Sequence, residues 1–141
     1  MPIKPENRAR YPKDWKRISA AIRERAGHKC EQCGVPNYAV VQWRDGKWHQ
    51  ESVGVQSNYA AARQIAAECS IGWERGEPKW IVIVLTVAHL DHTPENCGPA
   101  NLRAWCQRCH LDYDKHHHQA NSYATRRKGK SVGDLFDKVP A

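Results

Sequence analysis

The apolar positions of this chain change period several times, and each change marks an element. Trp15, Ile18, Ala21, Ile22 and Ala26 recur at helical spacing, which predicts a helix over 14–26 with one apolar face. Gly27 is the residue type that ends a helix in the left-handed conformation. Residues 38–51 predict a hairpin around Asp45-Gly46, a strong two-residue turn signal. That turn sets Arg44 opposite Lys47 and Trp43 opposite Trp48. The two indoles then meet on one face, as a packing pair or as a base-stacking platform. Tyr59, Ala62, Ile65, Ala66 and Cys69 return to helical spacing and predict a second helix over 58–69, after which Gly72, Gly76 and Pro78 break the chain. Residues 79–88, rich in Ile and Val, read as one buried strand. It leads into His89-Leu90-Asp91-His92, a polar loop over 93–100, and Cys106-Gln107-Arg108-Cys109-His110, where a last helix carrying Tyr113 and Lys115 begins. The organisation expected is a basic arm over 1–13, one domain over 14–120 with an insertion over about 38–78, and a basic tail over 121–141 with a short helix near 132–136.

Size and charge narrow the function classes. A chain of 141 residues supports one core. The longest strongly apolar run, Trp80 to Leu85, is far short of the roughly 20 residues of a membrane-spanning helix, so no membrane partner is expected. The polar, basic start has no apolar signal segment, and the expected location is cytoplasmic, a reducing compartment. Net charge is +7, the isoelectric point is about 9.2 and mean hydropathy is −0.79. The charge is uneven: net +6 over residues 1–30, −3 over 31–102 and +4 over 103–141. Two cationic ends that met in space would make one face for a polyanion.

The cysteines supply a way for them to meet. Cys30-x-x-Cys33 and Cys106-x-x-Cys109 are two knuckles, each able to turn two thiolates onto one cation. Together they make a four-thiolate zinc site. With 72 residues between the knuckles, the intervening chain has to be a structured insertion whose ends the metal staples. The rival, a redox Cys-x-x-Cys of thioredoxin type, lacks a βαβ pattern around either pair. Cys69 reads as a core residue on a helix face, and Cys97 as a loop thiol beside the candidate site.

The C-terminal half read as one unit resembles the HNH endonuclease family, in its subgroup with two zinc knuckles. The residues that carry the resemblance are Cys30-Glu31-Gln32-Cys33-Gly34, Ala88-His89-Leu90-Asp91-His92, Asn96, Asn101-Leu102 and Cys106-Gln107-Arg108-Cys109-His110. It covers about 79–118, extends back to about 28 through the first knuckle, and does not explain the insertion. The resemblance implies an α+β fold: a small zinc-stapled ββα-metal module with an N-terminal helix and an inserted hairpin–helix segment. It also implies a metal-dependent DNA endonuclease that hydrolyses phosphodiester bonds with a histidine base and one divalent cation, Mg²⁺ or Mn²⁺.

By that resemblance Asn101 orients the base and His110 holds the cation. Two registers remain open for the rest. His89, 12 residues before Asn101, is the base if Asp91 is the second cation ligand. His92 is the base if Asp91-His92 matches the family's Asp-His pair. The family often has Asp or His directly before the base, where this chain has Ala88. Strand alternation puts His89 and Asp91 on one face and His92 on the other, which favours the first register. Arg17, Arg23, Arg108, Arg126, Arg127, Lys128 and Lys130 are the candidate phosphate contacts, which give affinity without sequence reading. His116, His117 and His118 read as a helix end near DNA or as solvated surface. The competing function is a non-catalytic, zinc-stapled nucleic-acid-binding module. Phage packaging, intron mobility and restriction are all settings in which the family works.

Overall fold

In the computed structural model of the chain, which describes residues 3–129, the first apolar stripe forms helix α1 (Trp15–Arg25). Its end is built on Gly27, at φ +66°. The Gly27 N–H bonds to the Glu24 carbonyl and the His28 N–H reaches back to Arg23. The two bonds satisfy carbonyls that a helix end otherwise leaves open. Ile22 is buried, and Trp15, Ile18 and Ala26 pack on the same core. The segment before α1, expected as an arm, contains a 3-10 helix over Pro5–Arg10. Proline at its first turn gives up no hydrogen bond there and comes with φ already set.

Strands β1 (Ala39–Arg44) and β2 (Lys47–Val55) form the hairpin, with Trp43 opposite Trp48 and Arg44 opposite Lys47. Asp45 and Gly46 take φ +53° and +75°, the pair of positive values that the tight primed turn requires. Helix α2 (Tyr59–Cys69) is capped by Asn58, whose side chain accepts from the Ala61 N–H at 2.9 Å. Ala62 and Ala66 of α2 bury against Val40 of β1, a second small core that Tyr38, Ile65, Trp80 and Val82 complete.

The single strand expected over 79–88 is two strands in two sheets. β3 (Ile81–Val82) pairs with β1, giving the order β2-β1-β3. β4 (Thr86–His89) pairs antiparallel with β5 (Leu102–Trp105) in a separate two-stranded sheet. The connection keeps its apolar side chains inside: Ile83 is fully buried and Leu85 nearly so. Its backbone is satisfied by side chains, since the Asn37 amide oxygen accepts from Leu85 N and Gln107 accepts from Val84 N while donating to the Val82 carbonyl. A continuous apolar run does not reveal such a break, because both halves are buried.

Helix α3 spans Gln107–Gly129. It therefore continues past Asn121, where a tail is expected. Residues 119–128 are mostly good helix formers with no Gly or Pro to stop them. The short helix expected near 132–136 lies outside the described residues. The chain divides into a unit up to His110 and a unit from Leu111 on, the second carrying α3 beyond its first turn. The architecture is mixed α+β. No helix among the described residues is long and apolar enough to cross a membrane.

One polar latch ties α1 to β5. The Arg25 guanidinium donates to both Glu31 carboxylate oxygens (3.0 and 3.2 Å) and to the carbonyls of Pro99 and Leu102 (2.8 Å each). Glu31 in turn accepts from the Ala104 N–H at 2.9 Å. Charge-assisted bonds to partly buried backbone are worth more than surface pairs. Glu31→Ala is therefore expected to cost about 1–3 kcal/mol in urea unfolding. Arg17→Ala, which removes only an exposed pair with Asp14, is expected to stay within about 0.5 kcal/mol of the parent. Equal effects of the two substitutions would show that the latch contributes nothing special.

Candidate metal centre and the His89 loop

The first knuckle is a tight turn. Cys30 N–H bonds to the Val35 carbonyl and Gly34 N–H to the Cys30 carbonyl, both at 2.9 Å, with Gly34 at φ +80°. The second knuckle opens α3, where the Cys109 N–H points at Cys106 Sγ (3.5 Å). The fold brings the two together. The four sulfurs of Cys30, Cys33, Cys106 and Cys109 all lie within 4.8 Å of one another. Cys33 and Cys106 sulfurs are 3.8 Å apart, close to the edge of a tetrahedron with metal–sulfur bonds of about 2.3 Å, which is about 3.8 Å. Four soft donors at this spacing can hold one structural metal ion.

The acidities fit a cluster that needs a cation. A hydrogen bond from the Cys106 thiol, helped by backbone N–H groups, lowers Cys30 to about 4. Cys106 is raised, chiefly because it is the donor to Cys30 and then because it is buried, while Trp48 partly offsets this. Burial first, and then the neighbouring sulfurs, raise Cys109 to about 12. Without a metal, one negative sulfur makes the next costly to ionise, and a divalent cation removes that cost. Cys69, at the end of α2, lies outside the cluster.

His89 closes β4 and is 8% exposed. Trp15 of α1 stacks on its imidazole (centroids 5.0 Å, planes at 23°), and Tyr11 meets it edge-on at 5.7 Å. Cys97 Sγ lies 3.6 Å from its Nε2 and faces the Pro94 carbonyl at 3.2 Å. The N-terminal segment is fastened over this site by Arg10, whose guanidinium pairs with Glu95 (2.6 Å). Tyr11 and Trp15 are neighbours of His89 that the sequence does not signal, since Tyr11 precedes α1 and Trp15 reads only as part of its apolar face.

Asp91 lies beyond the end of β4, so strand alternation does not reach it. Its carboxylate is engaged by the Asn96 and Asn101 amides and the Thr93 N–H, each at 2.9 Å. These three donors lower it to about 2. Asn101 also donates to the Asn96 carbonyl and accepts from Asp91 N. Its amide thus braces the loop that follows His89. His92 is exposed at φ +56° in the same loop.

His110, in the first turn of α3, has Nδ1 2.7 Å from the Thr86 hydroxyl. Along β4, Thr86 and Ala88 share one face while Val87 and His89 share the other. His89 therefore points toward α1 from one face of the β4–β5 hairpin, and His110 meets Thr86 on the opposite face. Among the described residues, the four cysteines are the one group of three or more His, Cys, Asp or Glu ligands gathered for a single ion.

Of the candidate phosphate contacts, Arg17 pairs with Asp14 on α1, and Arg23 is half-buried on the same helix. Arg108 lies with its guanidinium 3.6 Å over the Trp43 ring. Arg126 and Arg127 are exposed on α3 in the second unit, Lys128 is in that helix, and Lys130 lies outside the described residues. The run His116–His118 sits within α3 instead of at its end, with His118 Nε2 3.7 Å from Asp114. No family model, curated protein or solved structure matches the chain.

Two outcomes follow. The purified chain is expected to carry about one metal ion, and Cys106→Ser to lose it at a stability cost above about 4 kcal/mol, read by elemental analysis and denaturant unfolding. For His89, burial lowers the imidazole below its ordinary 6.5 against the pull of Asp91 and Glu95. The unfolded chain then binds the proton more readily. This site's contribution is full above about 6.5 and declines as pH falls through that value to the folded pKa. An NMR titration of the His89 ring is expected to give a midpoint below 6.5, and a midpoint above it would contradict the burial argument.

Proposed function

We propose that the chain is a metal-dependent DNA endonuclease of HNH type, with β4, β5 and the start of α3 forming its ββα-metal module. The observation that carries this reading is an order of elements. His89 ends the first strand, Asn101 braces the connection just before the second, and the Cys-x-x-Cys-His run opens the following helix. Four sulfurs gathered next to that helix support zinc as the structural ion.

In this reading His89, kept neutral by burial, takes a proton from the attacking water. Its Nε2 faces Cys97, which leaves Nδ1 as the accepting atom. Asn101 holds the loop through Asp91 and Asn96, so it positions the base through the backbone. His110 is the cation's ligand, oriented by Thr86. A bound Mg²⁺ or Mn²⁺ would neutralise charge on the phosphate and the leaving oxygen. The chain offers that cation few ligands: Asp91 is engaged in the loop, and Ala88 stands on the His110 face where the family often has Asp or His. Arg17, Arg23 and the α3 basic residues are the reading's phosphate contacts.

A second reading, a nucleic-acid-binding module without catalysis, is favoured by the covering of His89 by Tyr11 and Trp15. A supercoiled-plasmid assay separates the two. The first reading expects nicking in Mg²⁺ or Mn²⁺, reduced about 100-fold or more by His89→Ala and more weakly by Asn101→Ala. Loss confined to His92→Ala would transfer the role of base to His92. Salt-dependent DNA binding with no cleavage in any divalent ion would leave the second reading standing.

A further inference from the structure

The edge of β5 carries a positive charge that the fold orients but does not neutralise. Arg103 stands on β5 opposite Ala88, next to the His89–Leu102 pair that ends the hairpin, and is half-buried. Its Nη1 donates to the Ala100 carbonyl at 3.1 Å and to the Leu102 carbonyl at 2.9 Å. Both protons of that nitrogen are engaged, so the plane of the guanidinium is fixed. Its Nε and Nη2 make no hydrogen bond to the described residues, and no carboxylate among them pairs with it. Glu31, the acid on this edge of β5, is engaged by Arg25 and by the Ala104 N–H. Arg25 also donates to the Leu102 carbonyl, at 2.8 Å. Two guanidiniums therefore meet on one oxygen. Like charges this close repel, and a carbonyl dipole offsets only part of that repulsion.

Nε and Nη2 of an arginine point the same way and form a fork that matches two oxygens of a carboxylate or a phosphate. The chain shows that fork in use, since Arg10 grips Glu95 with the same two atoms at 2.6 and 3.1 Å. We propose that Arg103 binds a backbone phosphate of DNA through Nε and Nη2, with Arg25 adding positive charge beside it. The inference rests on DNA as the partner, which the catalytic and the non-catalytic readings share, and it does not depend on cleavage. A phosphodiester suits the fork in both respects: it offers two unbridged oxygens and one negative charge. Because Nη1 already holds the group in place, little freedom is lost when the phosphate arrives. Arg103 belongs to the hairpin that ends in His89, so a phosphate held there fixes the strand beside the loop that Asp91 and Asn101 organise. Such a contact positions the DNA without reading its sequence.

The test measures binding of the full chain to a fluorescent DNA duplex by anisotropy over a range of salt, without added Mg²⁺ or Mn²⁺. Arg103→Gln is expected to weaken binding about tenfold and to reduce the salt slope by about 0.9, the value of one phosphate contact. Arg103→Lys keeps the charge and loses the fork, so it is expected to restore the slope and only part of the affinity. Arg63→Gln removes an exposed cation of α2 and is expected to stay within about twofold of the parent. The parent chain gives a readout that needs no variant. Its Arg103 Nε–H signal in the NMR spectrum is expected to shift when duplex is added, and to stay in place with inorganic phosphate at the same phosphate concentration. Equal losses in Arg103→Gln and Arg63→Gln would overturn the proposal, as would an Nε–H signal that the duplex leaves unmoved. Full recovery in Arg103→Lys would overturn the fork, and an equal shift with inorganic phosphate would overturn the assignment to DNA. A parent chain that binds no duplex would overturn the proposal together with the DNA partner. Binding without cleavage in any divalent ion bears only on the nuclease reading.

Discussion

Four sulfurs drawn from two places 72 residues apart are the constraint on which the first unit is arranged. Bringing them within 4.8 Å fixes both ends of everything between. Each knuckle carries neighbours that extend the hold: Glu31 bonds β5 at Ala104, Gln107 bonds the connection between β3 and β4, and Arg108 covers Trp43. The cysteine cluster therefore works as a joint where α1, both sheets and the start of α3 meet. With an ion bound, thiolates would do this better than apolar contacts alone, since their geometry is directional and the ion would relieve their mutual repulsion.

The His89 loop is organised by a different device. One carboxylate, Asp91, takes three donors and so folds residues 91–101 around itself. An ionised acid is a strong acceptor, and the cost of holding it in a tight loop is offset by charge-assisted bonds. The same economy limits its chemistry, because oxygens bonded to Asn96, Asn101 and Thr93 are less open to a cation. His89 is treated in the opposite way, enclosed by two aromatic rings and a thiol that favour its neutral form.

Much of this was legible in the residues, for identifiable reasons. Helices α1 and α2 follow from apolar spacing, the end of α1 from Gly27, and the hairpin with its Trp43–Trp48 pairing from Asp45-Gly46. The cysteine cluster follows from two knuckles whose chemistry admits few arrangements. What escaped was set by tertiary context. The split of 79–88 into β3 and β4 depends on Asn37 and Gln107, remote residues whose amides replace strand partners. The role of Asp91 depends on where β4 stops. The placement of His89 and His110 on opposite faces depends on which side of the hairpin receives α1. The extension of α3 past Asn121 was open to propensity, and the mixture of Ser, Lys, Arg and Gly there concealed it.

The staple also bears on how this chain tolerates change in length. The entropy of closing a loop grows only with the logarithm of its length, so doubling it costs about 0.6 kcal/mol. The segment between α2 and β3 is almost wholly on the surface, and Ile71 there is 83% exposed. Residues added or removed over 71–79, short of the Trp80 that completes the small core under α2, would leave both that core and the sulfur geometry in place. The β1–β2 hairpin has no such freedom, because Trp43 and Trp48 are held in register by their packing. A change of length is therefore accommodated most readily in that surface stretch, away from the contacts that hold the hairpin in register.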